Sequence, residues 1–219
     1  VVGIDRGVAV SAALSTGELL HAPALTPGES KRLTVLQQRL TRAKRGSRRR
    51  EKTKRAIAKL KARERDRRRD WVEKTTTDLA RRFDVIRVED LDVRAMTRSA
   101  CGTVEKPGAG VAQKRGLNRA ISGSGWGLLV ARLRHKALGR VEQVPAAYTS
   151  QRCSACGHVA PANHKSRAVF ECEACTAGPC NADVNAARNI AAGRAVTARG
   201  DLAGGRSANR EPQLATPAA

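Results

Sequence analysis

Two CxxC pairs, Cys153/Cys156 and Cys172/Cys175, with fifteen residues between the second and third cysteines, constrain this chain more than any other feature. Each pair presents two thiolates from one tight turn, and two such knuckles at this separation close a tetrahedron around one Zn²⁺. A four-cysteine site leaves no open coordination position, so the zinc is expected to be structural. Any catalysis must then lie in nearby carboxylates, beginning with Asp183 in the first turn of a short helix that follows. His158 and His164 fall inside the same segment; with four cysteines in place, both are read as spectators. Cys180 competes with Cys175 as a ligand, and the knuckle spacing favours Cys175. Cys101 has no partner by spacing and is read as a free loop thiol.

Charge narrows the partners. The chain of 219 residues carries 42 Lys and Arg against 20 Asp and Glu, a net charge of +22, which points to a polyanion such as nucleic acid. Aromatic residues make up 2% of the chain, so base stacking cannot be a major binding mode. No apolar run approaches the length of a membrane span. Cysteines in zinc spacing fit a reducing cytosol and not a disulfide scaffold. The chain opens on Val1, already in strand-like sequence, and reads as a fragment of something longer.

Taken in order, Val1 to Asp5, Val8 to Leu14 and Leu19 to His21 read as three strands of an antiparallel meander, separated by turn residues. From Thr26 to Phe83 apolar residues recur at helical spacing, as in Leu33, Leu36 and Leu40, and Gly46-Ser47 divides the run into a hairpin of two helices. Lys31 to Arg82 holds 22 Lys and Arg against 6 Asp and Glu, so it carries 16 of the net positive charges. A merely solvated helix mixes its signs; this excess suits an arm that grips a nucleic-acid backbone. Phe83 to Leu91 reads as a buried strand ended by Glu89-Asp90, Asp92 to Gly116 as loop, and Leu117 to Leu138 as one helix with Trp126 on its apolar side. Arg140 to Val144 is a short strand, and a last helix runs from about Ala182 to Ala192.

Three meander strands, helices, strand, helix, strand, helix is the order of a ribonuclease H-like α/β fold, in which the first and fourth strands lie side by side. That arrangement brings Asp5 and Glu89 together, and a helix packed on the same face delivers Asp183. A lone acid at a strand end is as well explained by a solvated turn, and the residues alone leave Asp90 as a stand-in for Glu89. Three carboxylates in one place repel one another, and hard divalent cations relieve the repulsion. Two Mg²⁺ so held suit phosphodiester cleavage.

GIDRGV at Gly3 to Val8, VEDL at Val88 to Leu91, TSQRCSACGH at Thr149 to His158 and ADVNAARNI at Ala182 to Ile190 resemble the TnpB (OrfB) family of insertion-sequence proteins. The resemblance runs from Val1 to about Pro212. It implies a transposon-encoded, RNA-guided DNA endonuclease of the transposase family, with DNA and a guide RNA as partners, in the bacterial or archaeal cytoplasm. The implied fold is a RuvC-like mixed sheet with a long basic helical hairpin insert and an inserted four-cysteine zinc ribbon. It assigns Asp5, Glu89 and Asp183 as catalytic ligands of Mg²⁺, and Cys153, Cys156, Cys172 and Cys175 as zinc ligands. The expected divisions are a nuclease domain over 1–147 with its basic insert at about 27–82, a zinc ribbon over 148–180, the last catalytic helix over 181–192 and a flexible tail over 193–219. Family members carry an N-terminal half with guide- and target-binding domains that does not appear here. The alternative is a zinc-bound, nucleic-acid-binding remnant without catalysis. A zinc-ribbon transcription or ribosomal factor accounts for the charge and cysteines but leaves the three acids unexplained.

Overall fold

The structure, a computed structural model, describes residues 1–193; the expected tail, from residue 194 onward, lies outside the described residues. A five-stranded sheet forms its centre. The strands are β1 (Val2–Asp5), β2 (Ala12–Leu14), β3 (Leu19–Leu20), β4 (Ile86–Asp90) and β5 (Val141–Pro145), in the spatial order β3-β2-β1-β4-β5. β1, β2 and β3 form the antiparallel meander, whereas β1 pairs with β4, and β4 with β5, in parallel. The first and fourth strands are thus neighbours, with Ile4 opposite Val88.

Strand alternation sorts the side chains. Val2, Ile4, Ile86 and Val88 point to one face and are fully buried there. They pack against Val72 and Leu79 of α2 (Arg48–Arg82) and Leu129 and Leu133 of α5 (Trp126–Lys136), forming the main core. Gly3, Asp5, Arg87 and Glu89 point to the opposite face, which is covered by α6 (Ala182–Ala191). The sheet is thereby sandwiched between helices, as a parallel-containing sheet requires.

The basic segment folds as the expected hairpin. α1 (Pro27–Arg42) starts at Thr26, whose hydroxyl accepts from Glu29 N while the Glu29 carboxylate accepts from Thr26 N, with proline at the first helical position. α2 starts at Ser47, whose hydroxyl accepts from Arg50 N at 3.3 Å. Leu33 and Leu36 of α1 bury against Leu60 of α2, and Arg67 clasps Glu29 with two bonds of 2.6 and 3.0 Å. At about 1.5 Å per residue, the 35 residues of α2 span roughly 52 Å. Its C-terminal half is bound into the core and its N-terminal half projects with α1.

Two expectations need correction. The stretch expected as one helix over Leu117 to Leu138 is two, α4 (Val111–Ser124) and α5, broken at Gly125, which adopts φ 79°. The break lets Trp126 turn inward and donate from Nε1 to Gly7 O at 3.2 Å. The stretch expected as loop from Asp92 contains a single turn, α3 (Val93–Met96), capped by Asp92, and the first residues of α4. A second, two-stranded sheet pairs β6 (Val169–Phe170) with β7 (Cys180–Asn181). β7 runs without a linker into α6, with the Asn181 side chain accepting from Val184 N at 3.0 Å as the helix cap.

Candidate acidic site and cysteine cluster

Cys153, Cys156, Cys172 and Cys175 converge as the spacing predicts. Their four sulfurs all lie within 4.8 Å of one another, with Cys153 to Cys175 at 3.7 Å and Cys156 to Cys172 at 3.6 Å. A tetrahedral Zn²⁺ with Zn–S bonds of about 2.3 Å needs sulfurs about 3.8 Å apart, so the cluster fits such an ion closely. The first knuckle is built by backbone bonds: Cys153 N donates to His158 O at 2.8 Å and Gly157 N to Cys153 O at 2.9 Å. Cys180 lies outside the cluster, in β7 opposite Phe170, where burial pushes its thiol up. His158 and His164 also stand outside it, and Cys101 is exposed.

The second site forms on the face of the sheet that α6 covers. Asp5 ends β1 and Glu89 lies near the end of β4, each one residue beyond the Ile4–Val88 pair, so both side chains leave the sheet on the same side. Asp183 enters from the first turn of α6. Asp5 is held well above the usual carboxylate range, first by burial and then by the negative charges of Glu89 and Asp183. Glu89 is 7% exposed and is also pushed up by burial, against the pull of Thr149 and Arg6. Burial raises Asp183 too, opposed by Arg167 and His164. The three acids are close enough for Asp5 to feel both others. They are less tightly gathered than the cysteines, the one group among the described residues whose metal-ligating atoms meet so closely.

Strand parity separates Glu89 from Asp90. Because β4 begins at Ile86, Ile86 and Val88 take one face and Arg87 and Glu89 the other. Asp90 falls on the α5 side, where it is exposed and accepts from Gln143 Nε2 at 3.1 Å.

Several residues around the acids fall inside the quoted motifs, but the sequence assigns them no role. Arg6 is 7% exposed; its guanidinium donates to Glu89 O, and its Nε has no hydrogen-bond partner among the described residues. Burial lowers the Arg6 pKa, while the charges of Glu89, Asp5 and Asp90 oppose that shift. Thr149 Oγ1 donates to Glu89 Oε1 at 2.7 Å. On α6, Asn185 and Asn189 are buried and donate to the backbone of residues 149–152. Two buried amides four residues apart, on the helix that begins with Asp183, are the pattern that could have drawn attention to them.

The basic hairpin is the third feature. All seven acids of α1 and α2 are already paired, Glu73 with Arg132 and Lys136 of α5 and the others within the hairpin. Among the described residues Arg48, Arg49 and Lys52 are exposed and have no acidic partner. Arg50 differs: it donates to Leu40 O and Ala43 O at 2.5 and 3.4 Å and closes the end of α1.

A family of probable transposases, OrfB_IS605, matches residues 1–100, and a Cas12f1-like TNB domain matches residues 126–190. The chain is 43% identical over 217 residues to a putative RNA-guided DNA endonuclease, InsQ, of Escherichia coli, covering 97% of this chain and 54% of InsQ. It is 34% identical over 233 residues to a putative RNA-guided DNA endonuclease of Streptomyces pristinaespiralis, covering 98% of this chain and 53% of that one. The chain therefore spans about half the length of these curated relatives. A cryo-EM structure of Cas12f1 with its sgRNA and target DNA aligns with a TM-score of 0.47 at 21% identity, over 87% of this chain and 49% of that one. Residues 1–100 thus match the probable transposases, residues 126–190 match the Cas12f1-like TNB domain, and nearly the whole chain is similar to putative RNA-guided DNA endonucleases.

Proposed function

We propose that this chain is the metal-dependent nuclease part of an RNA-guided DNA endonuclease, built as a ribonuclease H-like (RuvC-like) domain. What supports the reading is that Asp5 of β1, Glu89 of β4 and Asp183 of α6 lie on the side of the sheet that α6 covers, where burial first and then the charges of Glu89 and Asp183 raise Asp5. The strand order β3-β2-β1-β4-β5, with only the first three strands antiparallel, supports the fold assignment. A carboxylate such as Asp5, raised by burial and by two neighbouring negative charges, has an electrostatic demand for a cation, and all-oxygen donors suit Mg²⁺. Donors to two ions about 3.5–4 Å apart need not crowd as four thiolates around one ion do. Asp5, Glu89 and Asp183 would hold divalent ions there, and such ions would supply an activated water and charge stabilisation for the leaving oxygen in phosphodiester cleavage. Arg6 contributes a fixed positive charge behind the acids, and Thr149 holds one oxygen of Glu89.

The cysteine cluster holds zinc in this reading and acts structurally, within a ribbon spanning 148–180. The N-terminal part of the hairpin, with Arg48, Arg49 and Lys52, grips phosphates of DNA or guide RNA without reading sequence. Among the described residues no helix is long and apolar enough to cross a membrane.

The test is a paired cleavage assay with Mg²⁺, guide RNA and target DNA. Parent and Asp5→Ala chains are each joined to the part of InsQ that the alignment leaves unmatched. The parent should cut and Asp5→Ala should not, with zinc content and DNA affinity unchanged. Equal cutting by both removes the three-carboxylate assignment. Binding by both without cutting leaves the alternative, a zinc-bound nucleic-acid-binding protein without catalysis.

A further inference from the structure

We infer that Thr149 is a positioning residue that fixes the Glu89 carboxylate for a divalent cation, and that α6 and the first cysteine knuckle hold Thr149 in place. The inference rests on the acid-site reading above.

A glutamate carboxylate turns broadly about its last torsion, so an isolated Glu side chain offers a cation no fixed oxygen. Glu89 is different because Thr149 Oγ1 donates to Oε1 at 2.7 Å. Ala146 O, at 3.1 Å, is the other acceptor within reach of that hydroxyl. With one proton to give, the shorter bond to the charged oxygen takes it. Oε2 then remains for a cation, and the hydroxyl, with no charge of its own, does not compete with one. Thr149 is 4% exposed, so water does not replace it easily.

Thr149 is itself held. Its carbonyl accepts from Asn189 Nδ2 at 2.9 Å, and the same amide donates to Arg152 O at 2.7 Å. Asn185 Nδ2 donates to Arg152 O at 2.8 Å, and its Oδ1 accepts from Ser154 N at 2.9 Å. These bonds bracket Cys153, a member of the cysteine cluster. The preceding residue, Tyr148, has φ 61°, the one non-glycine residue with positive φ among the described residues. A left-handed tyrosine persists only where its surroundings over-determine it. The helix that delivers Asp183 therefore also sets the residue that aims Glu89, so two carboxylates from distant parts of the chain share one rigid reference.

Partners that orient metal ligands typically change metal affinity by about 10–100-fold when removed. The experiment titrates Mn²⁺ into the zinc-loaded 219-residue chain and follows free Mn²⁺ by its electron paramagnetic resonance signal. Parent, Asp5→Ala, Thr149→Val and Thr149→Ser are compared, with zinc content and circular dichroism recorded for each. Thr149→Val, which keeps the shape and removes the hydroxyl, should weaken Mn²⁺ binding about tenfold or more. Thr149→Ser should restore binding close to the parent, which a purely packing role would not do. If Thr149→Val loses zinc or helical signal, Thr149→Ala is judged by the same criterion. Parent-like Mn²⁺ affinity in the folded variant that lacks the hydroxyl, while Asp5→Ala loses binding, overturns the inference and leaves the acid site standing. Parent-like affinity in Asp5→Ala removes the acid-site reading and this inference with it.

Discussion

Adding one methyl group at Gly3 tests the contact on which the acidic site depends. Gly3 lies in β1 beneath α6, and a Cβ there would sit 2.1 Å from Ala187 O and 2.3 Å from Ala191 N. Both atoms are helix backbone, so neither can rotate aside. Ordinary contact begins near 3.4 Å, so α6 must withdraw from β1 by about 1.3 Å. Ala187 and Ile190, both fully buried, would be partly unpacked by that movement. Overpacking of this kind typically costs about 1–3 kcal/mol, and a rigid neighbour puts Gly3→Ala at the upper end. For a chain of this size about 3 kcal/mol lowers Tm by roughly 6–12 °C. Asp183 rides on α6, so Mn²⁺ affinity should fall with it. The assay is thermal unfolding by circular dichroism beside the Mn²⁺ titration. Gly116→Ala in α4 is the control, because an added Cβ there meets nothing within 4 Å; helix propensity makes it neutral or stabilising by up to about 1 kcal/mol. Gly3→Ala melting at or above the parent temperature would refute the packing of α6 on β1.

Cys156 is exposed, so Cys156→Ser removes a thiolate without emptying a packed position. The purified variant should hold no zinc and unfold at lower temperature, since among the described residues the buried core beneath the knuckles is only Cys153, Phe170 and Ala182; a parent without zinc, or equal melting, speaks against a structural metal. Replacing Arg48, Arg49 and Lys52 by Gln should flatten the dependence of DNA affinity on salt, because fewer counterions are released; an unchanged slope means these side chains do not meet phosphate. In Mg²⁺-free buffer, Asp5→Asn should raise Tm, and more so as pH rises. The folded-state pKa of Asp5 lies above its unfolded value, so folding binds the proton more tightly. The parent's stability thus falls as pH climbs from the ordinary carboxylate range through the raised pKa, whereas the amide does not titrate. A Tm difference that is constant across that range would contradict the assigned burial and repulsion.

The parts legible in the sequence are those whose geometry is set within a few residues. A CxxC knuckle is local, and the four sulfurs of the two knuckles meet where the spacing predicts. The hairpin of α1 and α2 announces itself through apolar residues at helical spacing and the interruption at Gly46-Ser47, where Ser47 accepts from Arg50 N as the cap of α2. The break at Gly125 is hidden because apolar spacing runs on through it and neither flanking helix has a side-chain cap there. Glu89 and Asp90 are indistinguishable until the start of β4 is known, since a one-residue shift in strand phase exchanges their faces. Least legible are Arg6, Thr149 and Asn189: a polar residue's task depends on what stands opposite, and their partners lie 83, 60 and 40 residues away.

Those long-range bonds change how the parts of the chain relate. Read as sequence, the cysteine segment is an insert between a nuclease core and its last helix. In the fold, β7 passes from the cysteine segment into α6 with Asn181 as cap, and α6 returns two asparagines to the first knuckle. The same ten residues cover β1, deliver Asp183 and hold the backbone that carries Thr149. A buried cluster of like charges pushes its elements apart, so it survives only if they are fastened elsewhere. Here the fastening is the close seat of α6 on Gly3 on one side and the asparagine clamp to the knuckle on the other. Loss of the knuckle's metal should therefore reach the acids through α6 even though no cysteine touches a carboxylate, and the two sites should weaken together.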